Sequence, residues 1–336
     1  MNVFCQLQFS GLIKSAEYFL SILLVAMFIY LVIPLPYPLF PDDYSMVVLD
    51  ANGKMLRVFL NRNQQWCFPP DENLKIPMKL KNAVLQFEDR HFYRHPGVNP
   101  VSLVRAFYQN IRAGRTVSGA STLTMQLARL MQPKPRTYPN KLLEILQAVK
   151  IEIQYSKEEI LRMYLDHAPY GGNIIGYQAA SWRYFGKRPE QLTWGEAATL
   201  AVLPNSPGLI SPVVNREKLS EKKNRLLRKL LQAGFIDQES FELAKLEPLP
   251  SRTIPFPFIA PHLTEALHRK VVSNKIIRTT IKKEIQRQAA ETVREQLENL
   301  RHLGIRNGAA LIAETKSGKV RAYVGSQDFF AKENKG

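Results

Sequence analysis

Cysteine is nearly absent: 336 residues contain two, Cys5 and Cys67. No disulfide framework can carry the fold, so stability has to come from ordinary core burial, which a chain of this length can supply in one large or two ordinary domains. Acid is scarce as well, with 29 Asp and Glu against 46 Lys and Arg, a formal charge of +17. That balance draws the protein to polyanions, whether nucleic acid, anionic lipid or pyrophosphate. Histidine is sparse, and although His91 and His95 lie four apart, no third ligand follows at a convincing spacing, so metal binding by this pair is not expected. Internal repeats and low-complexity tracts are missing too.

One stretch lacks charge altogether. Tyr18 to Pro41 (YFLSILLVAMFIYLVIPLPYPLFP) has none over 24 positions and is mostly aliphatic or aromatic. About 20 such residues suffice for one membrane crossing. A cleaved signal peptide is disfavoured, because the apolar run is long and ends without a small-x-small cleavage pattern. Lys14 precedes the span and Asp42 and Asp43 follow it, which predicts a short cytoplasmic tail and an extracytoplasmic bulk. Cys5 and Cys67 then lie on opposite sides of the bilayer.

Beyond the span, VVLDANGKMLRVFL (Val47 to Leu60) sets two apolar runs about Asn52-Gly53, a hairpin signal. From Pro77 the periodicity turns helical. Helices are predicted to Glu88 and over 101–112, 121–131, 141–153, 157–165, 176–185, 193–203 and 216–232. LEPLPSRTIPFPFIAPH (Leu246 to His262) carries five prolines and predicts an extended linker, with a boundary near residue 250. Past it, 282–300 predicts a charged helix, and GAALIAETKSGKVRAYVGS (Gly308 to Ser326) two strands about Lys316-Ser317-Gly318, too little for an independent domain.

Three clusters could carry chemistry. FEDRHFYRHPG (Phe87 to Gly97) places Glu88 and Asp89 where a helix should end. Either these are solvated terminal charges, or Glu88, beside Phe92 and Tyr93, is partly desolvated and acts as a general base. GRTVSGASTLTMQLARL (Gly114 to Leu130) is a hydroxyl-rich loop entering a helix. Ser118, Ser121 and Thr122 can cap that helix, and the same geometry presents N–H groups to an anion, to which Arg129 and Arg136 would add charge-assisted contacts if their side chains turn toward it. NKLLEILQAVKIE (Asn140 to Glu152) is apolar nearly all round, so Glu144 either shares a narrow solvated stripe with Lys141 or is held in a cleft.

In order, these clusters resemble the peptidoglycan glycosyltransferase domain of class A penicillin-binding proteins, glycosyltransferase family 51. EDRHFYRHPG matches the first family motif, GASTLTMQLAR the second and KLLEILQAVKIE the third. Tyr155 to Lys187 (YSKEEILRMYLDHAPYGGNIIGYQAASWRYFGK) and Leu192 to Pro212 (LTWGEAATLAVLPNSPGLISP) follow the fourth and fifth. Ala120 and Met125 give the second motif the look of the penicillin-binding protein 1C branch.

The resemblance implies a mainly α, lysozyme-like glycosyltransferase domain with an N-terminal transmembrane helix, a small membrane-proximal β hairpin and a C-terminal α+β stub. The expected divisions are a tail at 1–14, an anchor at 15–38, a β element at 39–75, the glycosyltransferase at 76–250, a linker and helix at 251–305 and the start of a transpeptidase at 306–336. The implied reaction polymerises lipid II with inversion and releases undecaprenyl pyrophosphate, on the periplasmic side of a bacterial cytoplasmic membrane. Glu88 would be the base and Glu144 the second carboxylate. Asp89, Arg90, His95, Ser121, Gln126, Arg129, Arg136 and Lys141 would contact substrate. No protein-held metal is implied, with a divalent cation (Mg or Mn) optional at the pyrophosphate. The implied partners are lipid II, the nascent glycan strand, the bilayer and cell-wall synthesis proteins, with no nucleic acid.

Three residues depart from the family pattern: Met125 for a Gln, Asn140 for an Arg and Asp166 for an Asn. The first two are expected to weaken donor or phosphate binding. Ser220-Glu221-Lys222-Lys223 and Lys316-Ser317-Gly318 match transpeptidase motifs in letters only, the first expected on a solvated helix and the second in a hairpin turn, and no transpeptidase activity is expected. A lysozyme-type hydrolase and a poorly active lipid II-binding scaffold are the alternative functions.

Overall fold

The computed structural model describes residues 18, 21–22, 25–71, 74–115, 119, 121–135, 137–205, 215–270 and 276–331. Helices dominate, and the chain divides into two units, residues 1–41 with 88–164, and residues 42–87 with 165–336.

The first unit begins, among the described residues, with helical turns at 25–32. No helix among the described residues is long and apolar enough to cross a membrane. Helix α1 (Met78–Glu88) ends on the first residue of this unit's second segment, followed by a 3-10 turn at Phe92–Arg94. Then come α2 (Pro100–Ala113), α3 (Leu123–Met131), α4 (Tyr138–Gln154) and α5 (Lys157–His167). The starts of α2, α3 and α4 have a local cause. Asn99, Thr122 and Thr137 accept the N–H groups of Ser102, Met125 and Asn140, satisfying donors a helix leaves open, and Pro100 supplies a preset φ at the start of α2. Helix α3 packs on α4. Leu123, Met125, Leu127, Ala128, Ala148, Ile151, Ile160, Leu161 and Tyr164 are buried, and each large one contributes about 1.5–3 kcal/mol relative to exposure.

In the second unit β1 (Val47–Leu49) pairs antiparallel with β2 (Met55–Val58), as the Asn52-Gly53 signal predicts. Asp50 Oδ1 accepts the N–H groups of Asn52 and Lys54, and Gly53 takes φ +76°. Strand β3 (Trp66–Cys67) pairs parallel with β4 (Ile174–Ile175), and β5 (Ile276–Arg278) adds to β1 in parallel. Neither parallel pairing is visible in the sequence, because strands of two and three residues have no period to read. Met46, Val48, Leu56, Phe59 and Ile281 form one core with Ile259, Leu263, Leu267, Ile277 and Val320, so residues beyond the proline-rich segment pack on the hairpin that precedes it.

Helices α6 (Tyr177–Phe185), α7 (Trp194–Val202), α8 (Arg216–Gln232) and α9 (Gln238–Leu246) follow, with α7 buried almost all round and packed against α8 and α9. Helix α9 and α10 (Pro261–Lys270) were not expected from the sequence, the second beginning where the proline-rich stretch ends. Helix α11 (Lys283–Leu300) packs on the hairpin of β6 (Ala310–Ala313) and β7 (Val320–Val324) through Ala289, Ala322 and Val324. Gly318 turns that hairpin at φ +65°, as expected for the Lys316-Ser317-Gly318 stretch. Lys223 lies in α8, buried rather than solvated, and donates to the carbonyls of Ala244, Lys245 and Glu247 at the end of α9. Burial pushes the Cys67 thiol up to about 12, so it is an inert packing group.

Candidate active site

Glu88 is the last residue of α1, and its Oε2 accepts a 2.6 Å hydrogen bond from the Gln126 amide on α3. Tyr164 donates to the other end of that amide at 3.3 Å, which fixes which way the Gln126 side chain faces. The turn after Glu88 is anchored inward. Asp89 is buried, its carboxylate contacts His95 Nε2 at 2.9 and 3.1 Å, and its Oδ2 also accepts the Leu123 N–H at the start of α3. Thr122, the cap of α3, donates to the Gly97 carbonyl. Gly97 has φ +83°, and a Cβ there would stand 2.7 Å from the Ala148 carbonyl of α4. Only glycine lets the turn close that tightly.

Glu144 is held by cations. Arg129 Nε donates to Oε1 at 2.7 Å and its terminal nitrogen to Oε2 at 3.2 Å, a bidentate pair, while Lys141 Nζ donates to Oε2 at 3.0 Å and to Ser121 Oγ at 2.7 Å. The carboxylate side chain is 13% exposed, against 31% for Arg129 and 36% for Lys141, so the cations and not the acid face outward. Burial alone would raise the Glu144 pKa, but the bonds from Arg129 and Lys141 outweigh it and hold the acid below the usual carboxylate range. Gln126 and Arg129 are three apart on α3, one face of one helix, and from that face they bond the two carboxylates.

The structure thus brings together Glu88 with Gln126, Asp89 with His95, and Ser121 with Arg129, Lys141 and Glu144. Arg90 stands apart, exposed and bonded to the His91 ring at 3.0 Å. Arg136, like Ser118 and Ala120, lies outside the described residues. Met125 is fully buried, so at that departure from the family pattern the side chain faces the core. Asn140 donates to the Pro135 carbonyl at 2.8 Å in the first turn of α4. Sequence reading missed Tyr164, and also Thr124, Glu152 and Lys157, which form a partly buried polar knot behind the turn. An ion pair between Glu152 near the end of α4 and Lys157 at the start of α5 was the signal available for it. Among the described residues no three His, Cys, Asp or Glu group as metal ligands.

Residues 52–231 match the Transgly family, described as transglycosylase. Penicillin-binding protein 1C of Escherichia coli K12 is 36% identical over 293 residues, covering 87% of this chain and 38% of that protein. Penicillin-binding protein 1A of Aquifex aeolicus is 41% identical over 176 residues, covering 52% of this chain and 24% of its own length. A protein of Cupriavidus necator named as a transglycosylase is 38% identical over 179 residues, 53% of this chain and 77% of its own. The chain spans well under half the length of the two penicillin-binding proteins. Glu88, Gln126, Arg129 and Glu144 all fall inside the family match, and the chain belongs to the transglycosylase family.

Proposed function

We propose that this protein is a peptidoglycan glycosyltransferase that joins lipid II to a growing glycan strand. The observation that supports it is the different holding of two carboxylates: Glu88 accepts from the neutral amide of Gln126 on α3, and Glu144 from Arg129 of the same helix and from Lys141 of α4. In this reading Glu88 takes the proton from the 4-hydroxyl of the acceptor sugar as that oxygen bonds to the anomeric carbon of the donor. The bond from that carbon to the pyrophosphate oxygen breaks with inversion. The electron pair leaves on undecaprenyl pyrophosphate, where Arg129 and Lys141 meet the developing charge. Glu144 keeps both cations in place beforehand, so little reorganisation is needed when charge appears. Ser121 positions Lys141, while Asp89 and His95 brace the turn rather than touch sugar.

The donor set around Glu144 does not fit a divalent ion, because both carboxylate oxygens already accept from cationic side chains. No step is routed through a metal, and Mg or Mn would enter only on the substrate's pyrophosphate.

A lipid-borne substrate fits a membrane anchor over residues 15–38. In favour of it, Tyr18, Ile22, Val25, Phe28, Ile29 and Val32 are all exposed, a surface costly in water and at home in lipid. The same reading places the catalytic residues on the periplasmic side of the cytoplasmic membrane, with cell-wall synthesis proteins as neighbours. The test is extension of labelled lipid II by the full chain in detergent: polymer from wild type and none from Glu88→Gln is expected. Equal products from both would overturn the base assignment, and binding of lipid II with no polymer from wild type would favour a scaffold instead.

A further inference from the structure

The geometry points to Lys157 as a positioning residue for this reaction, an inference that rests on the glycosyltransferase reading. Lys157 opens α5, and its ammonium group donates to the His95 carbonyl at 2.7 Å and to Glu152 Oε1 at 2.7 Å. It also lies 4.4 Å above the Phe92 ring. The Glu152 side chain is 9% exposed and that of Lys157 19%. Thr124 of α3, fully buried, donates to the same Glu152 oxygen at 2.5 Å.

These contacts join the two elements that carry the carboxylates. His95 and Phe92 belong to the turn that begins directly after Glu88, and Glu152 lies eight residues beyond Glu144 on α4. A helix advances about 1.5 Å per residue, so the Lys157 clamp grips α4 about 12 Å from Glu144. The site is therefore framed at two levels: Gln126 and Arg129 of α3 hold the carboxylates themselves, and Lys157 fixes the turn to α4 behind them. Removing the ammonium would leave a buried carboxylate and a backbone carbonyl short of their donor, a cost relieved by moving the turn. Because Glu88 directly precedes that turn, the movement would reach the base. Asp89 and His95 brace the turn from within, whereas Lys157 sets where the braced turn sits. Lys157 itself touches no reacting atom.

The test uses Lys157→Met, Lys157→Arg and Glu152→Gln in the full chain, with lipid II kinetics and hydrogen exchange of amides 89–97. Lys157→Met should lower kcat about tenfold or more while KM changes less than about threefold, the mark of a displaced base rather than lost binding. Lys157→Arg, which keeps charge and reach, should recover most of the rate. Glu152→Gln should lower kcat in the same way, and the double variant should be no worse than the poorer single, because both act through one clamp. Exchange at 89–97 should quicken about tenfold in Lys157→Met with α3 unchanged. A kcat within twofold of wild type in Lys157→Met, or, where that variant does not fold, in Glu152→Gln, overturns the proposal. So does a loss that Arg fails to recover. If wild type makes no polymer, the glycosyltransferase reading falls, and unchanged exchange at 89–97 would separately remove the clamp.

Discussion

One face of α3 reaches two carboxylates of this chain with different groups, an amide for one and a guanidinium for the other, and the contrast says more than either alone. Glu88 Oε2 accepts the neutral amide N–H of Gln126 at the end of a helix, whereas both oxygens of Glu144 accept from cations, Arg129 and Lys141. A carboxylate saturated by cations is held ionised and is a poor proton acceptor. A carboxylate oriented by an amide keeps its capacity to take a proton. In the proposed glycosyltransferase reading, this difference gives proton transfer to Glu88 and the ordering of the cations that face the leaving group to Glu144.

The largest effect should follow removal of the proton acceptor. Glu88→Gln keeps the size of the side chain and should lower the polymerisation rate about a thousandfold, within the span measured for general bases. Next comes the cationic arm: Arg129→Ala should cost about a hundredfold, comparable to losing one donor from a preorganised anion site, and Glu144→Gln should fall between Arg129→Ala and wild type. Should Glu144→Gln instead prove as severe as Glu88→Gln in the same lipid II assay, the contrast between the two acids collapses. A smaller loss, roughly tenfold in kcat, is expected from Gln126→Leu, which leaves Glu88 in place but frees it to turn. A Gln126 variant that raises KM and spares kcat would return Gln126 to the substrate-contacting role read from the sequence.

Much of this arrangement is legible in the residues, and the limits are physical. The helices around the site are readable because their faces repeat and, as at Thr122, a start carries a capping side chain, whereas the Thr137 cap is not read from the sequence and α4 begins three residues before the predicted 141. Glu88 and Glu144 are ambiguous in their own clusters and stand out only through the resemblance of the clusters, in order, to the family motifs. Their different partners are not legible, because a bond such as Gln126 to Glu88 spans 38 positions and no local pattern encodes it. For the same reason Asp89 and His95 look like cleft residues in the sequence and lie buried, bonded to each other, in the structure. Met125 reads as a lost polar contact until its position is seen to face the core. The short parallel strands β3, β4 and β5 carry no pattern at all, since two or three residues take their shape from the strand beside them.

The smallest effect concerns stability and sharpens the electrostatic half of the contrast. Arg129 and Lys141 hold the Glu144 pKa below its ordinary value, although burial pulls the other way. The folded chain therefore binds the proton less readily than the unfolded chain, so the pair stabilises the fold above the ordinary Glu pKa of about 4.3. That contribution fades as pH falls from there through the lower folded pKa. Because the two cations are partly exposed and screened, it should amount to no more than about 1 kcal/mol. In thermal melts, wild type should exceed Glu144→Gln near neutral pH, and the two curves should converge as the buffer is taken below the ordinary carboxylate range. A gap that persists unchanged into that acid range would mean that the glutamine fits the space badly, and that cationic pairing is not what the carboxylate contributes.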